Sequence, residues 1–107
     1  MNKMIKEIEL HGLKTKVKKT FDLFGVPAYV GRSISQYMHK EPYISDYWGV
    51  YLEKEDGNFG RIGNDEKTMI EIEEKAKNKI ISYFEKRPKN LQHLKSEGEL
   101  LTYILNK

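Results

Sequence analysis

The chain has no cysteine, which removes disulfides, thiolate metal sites and cysteine nucleophiles together and leaves packing alone to hold the fold. It also lacks any long apolar run. The N-terminal stretch MNKMIKEIEL breaks its hydrophobic residues with Lys and Glu where a signal peptide needs continuity. No segment nears the roughly 20 apolar residues of a membrane span. A reducing, cytoplasmic setting without membrane insertion is expected. Excess charge is small, +3, less than the clustered basic face of a dedicated nucleic-acid binder. Its distribution is lopsided: Lys3, Lys6, Lys14, Lys16, Lys18 and Lys19 crowd the first twenty residues, while acidic residues gather at 53–74.

What is present is enough for one domain. The 107 residues are 38% hydrophobic and 11% aromatic, with charges interspersed through the chain rather than in blocks, a balance that favours a folded core over disorder. Alternation at 13–24 (LKTKVKKTFDLF) places Leu13, Thr15, Val17, Phe21 and Leu23 on one side and Lys14, Lys16 and Lys18 on the other, the pattern of a half-buried strand with a basic outer face. A preceding strand with Met4, Ile8 and Leu10 on one parity, ending at His11-Gly12, would make a tight hairpin with it, while Ile5 and Ile8 equally suit a short helix. Gly25 and Pro27 then mark a turn, with PAYVG returning as the next strand.

Ser33 followed by Gln36, Tyr37 and Met38 reads as a capping box, predicting a short helix over 33–40 that Pro42 ends. From Tyr47 to Glu53 one parity carries Trp48, Val50 and Leu52, and Asp56-Gly57 supplies the turn into a strand at Phe59–Ile62. Gly49 in mid-strand predicts a bulge or a close backbone approach. A long helix is expected from about Asp65 to Arg87, stopped by Pro88, with a stripe of Met69, Ile72, Ala76, Ile80, Tyr83 and Phe84. A second capping box, Ser96 with Glu99, opens a short helix over 97–105.

No motif specifies a reaction. His11, His39 and His93 are isolated in sequence, without zinc-site spacing. His39, Glu41 and Asp46 form the one grouping that could be drawn as a metal-dependent hydrolytic cluster, although any polar loop supplies as much. GRSIS lacks the second glycine of a nucleophile elbow, and GNFGRIG sits between strands, not ahead of a helix. Two surfaces are better candidates: the basic face of Lys14, Lys16 and Lys18, extended by Arg32 and Lys40, and the tyrosines Tyr43, Tyr47 and Tyr51, recurring every four residues beside Pro42.

The string FGVPAYVG, a variable loop, then YWGVYLEKEDGNFGRIGNDEKTMIEIEEKAKNKI resembles the strand, hairpin and helix pattern of small orphan proteins from phages and mobile elements of low-GC bacteria. The resemblance spans about residues 24–81. It implies a stoichiometric inhibitor of a host defence nuclease, of the anti-CRISPR type, or a small regulator, and carries over no individual residue.

The expectation is thus an α+β fold: an antiparallel sheet of four to five strands, one long helix on one face, short helices near 33–40 and 97–105, and the other face partly free. The expected function is non-enzymatic binding of a Cas-type effector or similar protein through Lys14, Lys16, Lys18, Arg32, Lys40, Tyr43, Tyr47 and Tyr51. Direct nucleic-acid binding and the His39 hydrolase are the alternatives. No cofactor, metal or catalytic residue is expected, and the protein is taken as a monomer or homodimer.

Overall fold

The computed structural model describes residues 5–38 and 40–106, with the backbone but not the side chains of 63–65. The fold is α+β. Strands β1 (Glu7–Leu10), β2 (Leu13–Lys16), β3 (Lys19–Leu23), β4 (Val26–Ser35), β5 (Tyr43–Glu53) and β6 (Phe59–Glu66) precede helices α1 (Ile72–Glu85) and α2 (Glu97–Leu105). A four-stranded antiparallel meander has the order β3-β4-β5-β6, and β1 and β2 form a separate two-stranded sheet.

Turn chemistry sets most of these boundaries. Two-residue turns close β1–β2 and β3–β4, with positive φ at His11 (54°) and Gly12 (80°), and at Phe24 (51°) and Gly25 (91°), the twist that suits a right-handed hairpin. Asp22 braces the second turn by accepting the Gly25 N–H at 3.1 Å. The Asp56-Gly57 turn between β5 and β6 forms as the sequence predicts, with Asp56 accepting the Asn58 N–H at 2.9 Å.

The single strand expected over 13–24 is broken in two. Val17 N–H donates to Lys6 C=O, closing β1–β2, and Lys18 N–H donates to Val30 C=O, opening the pairing of β3 with β4. Between them the chain crosses from one layer to another. Gly31 permits this crossing: a Cβ there would lie 2.7 Å from the Lys16 carbonyl oxygen, so the β2 backbone rests directly on β4.

The result is three layers. On one face of the meander, Leu23, Val30 and Leu52 meet Ile72, Ala76, Ile80 and Leu101 from the helices, each fully buried side chain contributing about 1.5–3 kcal/mol of transfer free energy. On the reverse face the β1–β2 hairpin presses Ile8 onto Tyr29 and Tyr51, with Leu10, Val17 and Phe59 around them. Tyr29 and Phe59 meet edge to face, centroids 6.0 Å apart. The expectation of a reverse face left partly free is corrected here: the hairpin covers it around these residues. Lys16 and Tyr47 nonetheless stay exposed.

Two of the three helix expectations change. Residues 33–35 are strand, not helix, and Gln36–Met38 are non-helical; pairing with β5 takes the backbone that the capping box would have used. The long helix shortens to Ile72–Glu85, because β6 runs on to Glu66 opposite Trp48 and Glu71 takes a positive φ of 69° that a right-handed helix cannot pass through. At α2 the capping box forms: Ser96 Oγ accepts the Glu99 N–H at 3.2 Å, while the Glu99 carboxylate reaches back to Lys95 N–H. The bulge expected at Gly49 is present as a register shift between Trp48 and Val50.

Candidate functional site: a projecting β-arm

β4 and β5 outrun their neighbours. β3 stops pairing at Val30 and β6 at Trp48, so Arg32–Ser35 and Tyr43–Tyr47 continue as a two-stranded arm closed by residues 36–42. Its four β4 residues, three of them paired with β5, span about 13 Å before the tip. Apolar residues exposed along it are Tyr37, Met38, Tyr43, Ile44 and Tyr47, at 64%, 74%, 50%, 47% and 43%. One inner side is packed, with Ser33 and Ile34 buried.

Side chains brace the arm at its root. The register slips between Arg32 and Ile34, setting one β4 residue against three of β5, and such a slip frees backbone groups that burial would penalise. Tyr51 fills the gap: its hydroxyl donates to Arg32 C=O and accepts the Ile34 N–H, both at 2.9 Å. Arg32 lays its guanidinium 3.9 Å from the Trp48 ring centroid and donates to the Asp46 carbonyl oxygen. Tyr47 N–H is taken by Ser45 Oγ at 3.1 Å, and Arg61 donates to Ser33 Oγ at 2.8 Å. At the tip, Lys40 N–H donates to Tyr37 C=O and Gln36 donates to Lys40 C=O, while Met38 holds a positive φ of 52°.

The residues singled out in the sequence therefore separate. Tyr43 and Tyr47 lie together on the arm and are exposed, and Lys40 stands at its tip. Tyr51 is a correction: with no exposed surface, it is core and a brace, not a contact. Arg32 is committed to Trp48 and Asp46. Lys14, Lys16 and Lys18 are exposed on or beside the hairpin, but Glu9 is the direct cross-strand partner of Lys14 and Glu7 of Lys16. Opposite charges so placed attract each other and flatten the field a phosphate would feel.

Sequence reading missed Tyr37, Met38 and Ile44. The first two fall in the stretch whose capping-box spacing predicts a helix, and the pairing of Ile44 with Ile34 joins residues that no local pattern links. Glu41 and Asp46, from the hydrolytic grouping, are both exposed, and His39 lies outside the described residues. Among the described residues no group of three His, Asp or Glu side chains is placed to hold a metal ion.

The titratable groups with shifted pKa values lie away from the arm. Lys77 donates to Glu73, with Lys19 beside it, and holds that carboxyl below its usual range. Glu66 raises the Lys75 ammonium through a 2.9 Å pair. Lys19–Glu73 and Glu66–Lys75 tie the start of α1 to β3 and β6, while Lys77–Glu73 lies within the helix. No family model, curated protein or solved structure matches the chain, and the arm's chemistry stands on its own residues.

Proposed function

We propose that the protein is a non-enzymatic binding protein whose β4–β5 arm docks on another protein. The phage-type resemblance makes a nucleic-acid-handling host defence effector, Cas-type nucleases included, the first partner to test. The observation carrying this reading is the gathering of five exposed apolar side chains, three of them tyrosines, on a braced arm that runs beyond the pairing of β3 and β6. Aromatic anchors held rigid before contact lose little conformational entropy on docking. The arm is also poor in positive charge: over 36–47 one lysine, Lys40, is set against Glu41 and Asp46. Such a surface suits a protein better than a phosphate backbone, where basic contacts dominate affinity.

The test is capture from extracts of the host, followed by assay of the captured nuclease with added protein. Wild-type protein should retain the effector through washes at raised salt and inhibit cleavage stoichiometrically. A double Tyr43→Ala, Tyr47→Ala variant should lose both effects while staying folded. Binding to nucleic acid alone that collapses with salt and survives the double variant would replace this reading with the regulator.

A further inference from the structure

A second surface lies on the opposite side of β5 from β4 and is independent of the arm. β6 ends the strand order of the meander, and among the described residues no strand lies beyond it. Natural edge strands are commonly guarded by charged side chains, proline or bulges; in β6 the register shift and Glu66 lie past Ile62, so its regular edge is Phe59–Ile62, which has no lysine or proline and a single charge, Arg61. Beside β6 the helix stands off the sheet and leaves a cleft of about 420 Å³. Its floor is apolar, made by Val50, Ile62 and Ala76, and its rim carries the Glu66–Lys75 ion pair and Lys79, whose ammonium lies 5.7 Å from the Tyr83 ring centroid. With Lys75 matched to Glu66, Lys79 leaves the rim positive.

An edge strand running beside a strand–helix groove is the arrangement in which an extended peptide adds to a sheet, its main chain pairing with the edge and an alternate side chain entering the groove. We infer that β6 and α1 form a peptide-docking groove. Its occupant is an extended segment of a partner protein with an apolar anchor for the Val50–Ile62 floor and a neighbouring Asp or Glu for Lys79. The anchor follows from the floor and the acid from the rim.

The experiment uses the full chain to select from a displayed library of random linear dodecapeptides, with amide chemical-shift mapping of the selected peptides. Expected are peptides sharing an apolar residue flanked by an acid, with shifts concentrated at 59–62 and 75–83. Ser82→Trp fills the cleft from its half-buried wall and should weaken binding at least tenfold. Lys79→Glu should weaken it by about fivefold, the scale of an exposed charge pair, and should do so only for peptides retaining the acid. Circular dichroism verifies that both variants are folded. Failure to enrich any peptide, or shifts confined to residues 36–47, would overturn the inference, as would concentration-dependent self-association that shifts 59–62 and 75–83 without peptide. Arm variants leave all of these readouts unchanged, so the result is separable from that of the proposed arm function.

Discussion

β4 and β5 are one hairpin with two unlike halves. Near the turns, Val26–Val30 and Trp48–Glu53 lie between helices and the β1–β2 hairpin, and Leu52 and Tyr51 have no exposed surface. Past Gly31, Ser33 and Ile34 on β4 remain buried, while Tyr43 and Ile44 on β5 become about half exposed. Composition does not account for the difference, since both halves are rich in aromatic and β-branched residues. What differs is the company each half keeps. The lesson is that β-propensity sets the strand, while neighbours supplied from elsewhere in the chain decide whether its side chains become core or surface.

Substitutions should separate the halves, the largest effect coming from the body. Ile8→Ala removes the fully buried plug between hairpin and sheet and should cost about 2–5 kcal/mol in a urea titration; a cost under 1 kcal/mol would mean that the hairpin is not a true layer. Gly31→Ala sets a methyl against the Lys16 carbonyl and should cost about 1–3 kcal/mol, with exchange of β1–β2 amides accelerating before that of α1. At the junction, Tyr51→Phe keeps the ring but strands Arg32 C=O and Ile34 N–H, for about 1–3 kcal/mol. Hydrogen exchange should then rise selectively over 32–35 and 43–47. A uniform rise would show that the hydroxyl braces nothing local.

On the arm, Tyr43→Ala with Tyr47→Ala should move stability by only about 0.5 kcal/mol each, and a loss comparable to that of Ile8→Ala would erase the contrast. The smallest effect is electrostatic. Glu73 and Asp56 are held below their usual carboxylate range when folded, so their contribution is complete above the unfolded pKa of about 4 and fades as pH falls through the lowered folded values. Glu73→Gln should flatten that acid limb slightly, seen in thermal melts between about pH 5 and pH 2.

Much of the body is legible in the sequence because its signals are local. Positive-φ turn residues mark the hairpins, Ser96 marks α2, and the spacing of Ile72, Ala76 and Ile80 gives the buried stripe of α1. The arm is not legible in this way. Ser33 and Gln36 have the spacing of a helix cap, yet the Ser33 hydroxyl is held by Arg61, 28 residues away. The alternation at 43–51 places Tyr51 with Tyr43 and Tyr47, yet Ile8, 43 positions earlier in the chain, covers Tyr51 alone. Alternation says that a face is covered without saying by what.

The meander also imposes an order on the growing polypeptide. Each strand pairs only with its sequence neighbour, so β1–β2 and β3–β4 can close as soon as they leave the ribosome. Half of the seat for Ile8, Tyr29, is made soon afterwards, but the other half, Tyr51, is not. The β1–β2 hairpin, complete at Lys16, thus waits about 35 further residues for its full seat, and the nascent chain spends that interval with the apolar face of this hairpin open to whatever chaperone meets it.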